Sequence, residues 1–215
     1  MSLPIVYPAV RGPGRLLEIC SFRKSEIPES KFQEIFRGLM QKISTFDVAR
    51  QNSYGTKEED KRQAVLVADW TSAEDKDVFA ATEQFESVKP IFGQIINTKD
   101  ANWAWYDHLC HHLILPGAVA KTGQSTLYSV SQLIVPVAAQ TEFAKALDIF
   151  IQTVDKGSYD FIVAGASRED DEVIVVLMGF PSAGVAEKTG SQLSEATKAF
   201  VKSATTYDVK LEKQY

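Results

Sequence analysis

Three histidines, His108, His111 and His112, fall within five positions of one another. Imidazole is the side chain that titrates nearest neutrality, so a histidine beside a cavity can carry a proton or ligate a metal. Tyr106 precedes His108 by two residues, and on a strand that spacing puts both on one face, as general acid–base work on a bound molecule would require. Tyr54 is a further candidate partner. His108, Tyr106 and Tyr54 are therefore the candidate catalytic residues. The competing reading places His111 and His112 on a solvated linker and lets His108 cap a strand end. Trp70, Trp103 and Trp105 enrich the same half in aromatics; they are candidate ligand-binding residues that could clamp a planar molecule by stacking, or they fill a core.

Metal and phosphate chemistry find little support. Cys110 beside the histidines offers mixed nitrogen and sulfur ligands, but no second cluster exists to complete a zinc site, so no metal is expected. Neither G-x-x-x-x-G-K-[ST] nor G-x-G-x-x-G occurs, and the glycines of Gly12-Pro13-Gly14 sit in a turn. No cofactor is expected.

The elements that position these residues repeat. Leu16-Leu17-Glu18-Ile19-Cys20 and Leu127-Tyr128-Ser129-Val130-Ser131 both read as strands, at an offset of 111. Each precedes a helical pattern: Phe32, Ile35, Phe36, Leu39, Met40 and Ile43 in one copy, Phe143, Ala146, Leu147, Phe150, Ile151 and Val154 in the other. Second strands follow at Asp47–Tyr54 and Tyr159–Ser167, then charged hairpins, then third strands at Ala64–Trp70 and Val173–Phe180. Further helices are expected over Ala73–Phe85 and Ala183–Ser203, and fourth strands at Trp103–Leu109 and Tyr207–Leu211. The order β-α-β-β-α-β in each half is the ferredoxin-like motif, so the fold class is α+β. The third strands are almost continuously apolar, which predicts sheets buried on both faces, helices outside and the two sheets against each other. The organisation expected is an N-terminal extension over 1–14, a first repeat over 15–110, a linker over 111–125 and a second, degenerate repeat over 126–215. First and fourth strands are neighbours in this topology, so Cys20 can approach Cys110; small buried packing residues are the default reading for both.

Composition excludes several classes. Net charge is −5, split as −2 and −3 between the halves, and there is no basic stripe for nucleic acid. No apolar run approaches the roughly 20 residues that cross a bilayer. The start lacks a signal-peptide pattern, and two cysteines make no disulfide framework, so a reduced cytoplasmic protein is expected.

The strand order, the third strand ending Val67-Ala68-Asp69-Trp70-Thr71-Ser72, and the segment Phe85-Glu86-Ser87-Val88-Lys89-Pro90-Ile91-Phe92 resemble the dimeric α+β barrel superfamily, nearest to its antibiotic-biosynthesis monooxygenase domains. The chain looks like a fused version, an intramolecular pseudo-dimeric α+β barrel covering 15 to 215, with Phe180 where the first copy has its tryptophan. The resemblance implies a cavity between sheet and helices in each unit. The activities it implies include cofactor-free oxygenation of aromatic polyketides, haem degradation, polyketide cyclisation by a His–Tyr pair, or stress-related roles without catalysis. Of the family's site residues only Trp70 carries over: Leu16–Phe22 contains no Asn and Thr71–Phe85 no His. Three functions stay open. One is a cofactor-independent monooxygenase- or cyclase-like protein acting on an aromatic or polyketide-like molecule in the first cavity. The others are a non-catalytic binder of a small hydrophobic molecule or haem, and a structural or stress-related protein without ligand. A monomer holding its own pseudo-partner is expected, and the outer helices can support further assembly.

Overall fold

The structure, a computed structural model, describes residues 5–7, 15–46, 49–97, 110–115 and 125–213. The first unit runs β2 (Arg15–Arg23), α1 (Glu29–Ser44), β3 (Ala49–Thr56), β4 (Gln63–Trp70), three short helices α2 (Ala73–Ala80), α3 (Glu83–Glu86) and α4 (Lys89–Ile95), and β5 (Cys110–Leu115). The second runs β6 (Leu127–Ile134), α5 (Gln140–Thr153), β7 (Phe161–Ala166), β8 (Val173–Phe180), α6 (Ala183–Thr197) and β9 (Ser203–Val209). A short N-terminal strand, β1 (Ile5–Tyr7), and a C-terminal one, β10 (Glu212–Lys213), complete the described strands.

Both units pair their strands in the same antiparallel order, β3-β4-β2-β5 and β7-β8-β6-β9, which is ferredoxin-like. The terminal strands then cross over. β1 adds to β7 in the second unit's sheet, and β10 adds to β3 in the first unit's sheet, so each sheet has five strands. The two ends of the chain thereby tie the units together.

Period-two alternation decides what each strand face meets. Leu17, Ile19, Val65, Val67, Leu113 and Leu115 point to the interior and join Tyr128, Val130, Phe161, Val175, Leu177 and Tyr207 of the second sheet in one buried cluster. The opposite faces pack under helices: Phe32, Phe36, Leu39, Met40 and Ile43 of α1 cover the first sheet, and Phe143, Leu147, Phe150 and Ile151 of α5 cover the second. All of Val173–Phe180 is buried, as a sheet covered on both faces requires.

Several expected boundaries need correction here. The single helix expected over Ala73–Phe85 starts as expected, with the Ser72 hydroxyl accepting from the Asp75 amide, but it breaks after Ala80, where the Thr82 hydroxyl accepts from the Phe85 amide and caps a new helix. The linker expected from residue 111 instead begins as strand β5. Leu113 and Leu115 alternate with His112 across that strand, and His112 is tolerated in a buried position because carboxylates surround it. The expected fourth strand at Trp103–Leu109 lies outside the described residues. In the second unit the fourth strand starts earlier than expected, at Ser203, after α6 ends at Thr197.

Candidate functional site

The helix-facing side of β2 reads Leu16, Glu18, Cys20, Phe22. Glu18 is therefore a carboxylate placed in an apolar layer, 2% exposed. A buried charge needs partners, and the neighbouring strands supply them. β4 puts Trp70 within reach, and its indole Nε1–H donates to Glu18 Oε2 at 3.1 Å. β5 sets His112 directly opposite Glu18, with Nε2 3.1 Å from the same oxygen. Glu18 Oε1 lies 3.2 Å from the sulfur of Cys20.

His112 is held from its other side by the second unit. Its Nδ1 meets a carboxylate oxygen of Glu169, in the turn between β7 and β8, and its backbone N–H donates to Glu169 Oε2 at 3.1 Å. The Arg168 amide donates to the His112 carbonyl at 3.0 Å. Burial works against a charge on His112, but the hydrogen bonds it donates to Glu169 and Glu18 outweigh it and push its pKa up to about 9. Burial would raise Glu169, yet its bonds to His112 and Ser167 bring it down to about 2. His112 is thus an imidazolium, donating from both nitrogens.

The chain of contacts continues through Ser167, whose hydroxyl donates to Glu169 Oε2 at 2.5 Å. With that proton spent, Ser167 can only accept from His111 Nδ1, 3.0 Å away, which fixes the His111 tautomer. Burial holds His111 below its ordinary pKa, so it is the neutral member of the pair. Trp70, Glu18, His112, Glu169, Ser167 and His111 form one hydrogen-bonded line across the unit boundary.

Glu18 and Trp70 also form part of a cavity of about 230 Å³ between the first sheet and its helices. Phe79 of α2, Phe85 of α3, Phe92 of α4 and Ile43 of α1 give it apolar walls. Asn52 of β3, 3% exposed, adds an amide to its polar side, and Lys76 and Lys89 stand among its lining. This is the position at which the sheet is covered by three short helices rather than one long one.

The sequence candidates are distributed unevenly. Trp70 lines the cavity. Tyr54 stands apart from the described cavity lining and packs between Phe32 and Phe36, its ring 4.2 Å from that of Phe36; burial pushes its phenol pKa far up. His108, Tyr106, Trp103 and Trp105 lie outside the described residues. His111 and His112, read as solvated, belong to β5 and the charge network. Cys20 and Cys110, read as packing residues, are joined in a disulfide, because β2 and β5 place them directly opposite each other. Sequence reasoning missed Glu18, Asn52 and Glu169. Glu18 carried a usable signal, a lone charge inside the apolar strand Leu16–Cys20.

The structure is similar to that of a protein from Fusobacterium nucleatum subsp. nucleatum named "Putative monooxygenase", with a TM-score of 0.68, 11% sequence identity and 93% of each chain covered. An anthrone oxidase-like protein matches with a TM-score of 0.62 at 13% identity, over 92% of this chain and 90% of that one. A mutant chlorite dismutase from Candidatus Nitrospira defluvii matches with a TM-score of 0.62 at 6% identity, over 94% and 92%. No protein-family model and no curated protein matches the sequence. The likeness at these identities is one of fold, an α+β barrel in which two ferredoxin-like units of one chain pair as a pseudo-dimer. Among the described residues no helix is long and apolar enough to cross a membrane.

Proposed function

We propose that the first unit binds a one- or two-ring aromatic molecule in its cavity and that Glu18 accepts a proton from an activated C–H or O–H of it. The observation that carries this reading is the buried Glu18 carboxylate on the wall of an aromatic-lined cavity, steadied by the Trp70 N–H and the His112 imidazolium. A cavity of about 230 Å³ exceeds the roughly 150 Å³ that accepts benzene and falls short of the roughly 300–1,000 Å³ of drug-sized sites, which sets the ring count. It also argues against haem as the occupant.

The reaction class that fits is cofactor-independent oxygenation. Glu18 removes a proton from an activated methylene, and the resulting anion gives its electrons to dioxygen. In sum, one methylene and one dioxygen become one ketone carbonyl and one water. Both C–H bonds and the O–O bond break, the carbon is oxidised, and the dioxygen is fully reduced. Apolar walls strengthen the electrostatics of the site by excluding water. Asn52 is positioned to donate to oxygen on the substrate or the reduced dioxygen. The monooxygenase and anthrone oxidase-like names of the structural neighbours support this class over cyclisation.

A second reading, a binder without turnover, is favoured by one fact: the carboxylate of Glu18 already has strong partners in the protein. Oxygen uptake with 2-tetralone, a bicyclic ketone with an activated methylene, separates the two. Quenching of tryptophan fluorescence with oxygen uptake that is lost in Glu18→Gln supports the oxygenase. Quenching without uptake supports the binder. Uptake that Glu18→Gln leaves unchanged overturns the role given to Glu18.

A further inference from the structure

The second unit keeps the scaffold of the first site but exchanges its chemistry. Strand pairing puts Ser129 at the position of Glu18, opposite Asp208 where the first unit has His112. Ser131 and Thr206 stand where the disulfide joins Cys20 to Cys110, and Phe180 takes the place of Trp70. The Ser129 hydroxyl donates to Asp208 Oδ1 at 2.6 Å, and the Ser131 and Thr206 hydroxyls lie 2.9 Å apart. Above this row of hydroxyls, under α6, is a cleft of about 470 Å³, twice the volume of the first unit's cavity. Leu133, Met178, Phe180 and Leu193 give it apolar walls. α6 presents Gly190 to the cleft, and a Cβ built there would meet nothing within 4 Å. A glycine inside a helix is less favourable than an alanine, and no close contact demands this one.

We propose that this cleft is a second ligand site, for an uncharged compound of two or three rings bearing carbonyl or hydroxyl oxygens. Ser131 and Thr206 together hold two hydroxyl protons; their mutual bond uses one, and the other is free to donate to a ligand oxygen. The apolar walls take the ring body. No carboxylate is among the described lining residues and Lys198, paired with Glu195 at 2.5 Å, is the one charged residue there, so the described lining is mostly neutral and suits an uncharged ligand. The volume lies within the range of sites for molecules of this size. The two sites would then differ in kind: a charged, small cavity in one unit and a neutral, hydroxyl-floored, roomier one in the other.

Methionine methyl resonances distinguish the sites, because Met178 lines the cleft while Met40 is buried under α1 in the first unit. The Trp70 indole N–H reports on the first cavity separately. The probe is 1,4-naphthoquinone, with naphthalene as its oxygen-free counterpart; both cysteines are in the disulfide, so the quinone has no described thiol to alkylate. The Met178 methyl is expected to shift saturably with naphthoquinone and at least tenfold more weakly with naphthalene. Gly190→Leu fills open space with a better helix former, so the fold is kept, and it should abolish the Met178 response while leaving that of Trp70 unchanged. Ser131→Ala with Thr206→Val should remove the preference for the quinone. A Met178 signal that does not move, that moves as well in Gly190→Leu, or that does not distinguish the two probes overturns the proposal, whatever the first cavity does.

Discussion

His112 Nε2 lies 3.1 Å from Glu18 Oε2, a buried pair formed across strands β5 and β2, and the second unit's Glu169 closes it from the other side. The sign of its pH dependence follows from the two shifts. His112 binds its proton more tightly when folded, with a pKa of about 9 against 6.5, so its contribution is full below about 6.5 and lost as pH rises toward 9. Glu169 is depressed from 4.5 to about 2, so its contribution is present above 4.5 and lost as pH falls toward 2. Stability from this network should therefore plateau between those windows and decline on either side. Urea unfolding across the pH range checks it, and His112→Gln should flatten the alkaline limb. An alkaline limb that survives in His112→Gln would assign it to another group.

Removing the histidine outright should be costly. His112→Ala leaves two carboxylates facing each other without their cation, and breaking a buried pair typically costs about 3–5 kcal/mol. The Arg168–Asp77 pair also crosses the unit boundary, at 3.0 Å, but its side chains are 35% and 52% exposed. Asp77→Asn should cost less than about 1 kcal/mol. Equal losses from the two variants would contradict the difference in burial.

For Glu18→Gln the expected effects split between function and fold. A general base contributes about 10²–10⁴ in rate, so oxygen uptake should fall at least a hundredfold. Stability should fall far less than in His112→Ala, because the glutamine still accepts from Trp70 and His112 retains Glu169. A pH–rate profile and a thermal melt on the same variant separate the two effects.

Much of this was legible in the sequence because it is periodic. The repeat at an offset of 111 and the unbroken apolar run of Val173–Met178 are enough to place the sheets back to back. The site was less legible, since its charges are paired between units: nothing near Glu18 indicates that a turn after β7 brings Glu169 to the same histidine. Pro116 and Gly117 mark the segment after His112 as a linker and so favour a solvated histidine, whereas its burial depends on carboxylates distant in sequence. β1 and β10, of three and two residues, are too short to carry an alternation signal at all.

The disulfide makes a prediction of its own. Cys20 and Cys110 enclose a loop with a sequence separation of 90, and closing a loop of that length restricts the unfolded chain. It also fastens edge strand β5, which carries His112, to its inner neighbour β2. Reduction, or Cys20→Ser with Cys110→Ser, should lower stability by about 2–4 kcal/mol. It should also move the apparent pKa of His112 in an NMR titration toward its ordinary value as β5 loosens. Unchanged stability on reduction would show that the sheet alone holds that edge.

Two glycines should respond to the same substitution with opposite signs. A Cβ on Gly55 would run into the backbone carbonyl of Lys210 and lie 2.8 Å from Val209 Cγ2, where the C-terminal segment crosses β3 on its way to β10. Backbone cannot swing aside as a side chain can, so Gly55→Ala must displace that crossing, at about 1–3 kcal/mol for overpacking a tight contact. At Gly190 the added methyl meets open cleft, and the helix gains the alanine preference of about 0.5–1 kcal/mol. Thermal melts of the two variants should therefore move in opposite directions. The shift at Gly55 also tests whether the C-terminal strand holds the units together, since hydrogen exchange at β3 should quicken in Gly55→Ala and stay unchanged in Gly190→Ala. A neutral Gly55→Ala would mean that the crossing is loose and that the interior cluster between the sheets suffices to hold the barrel closed.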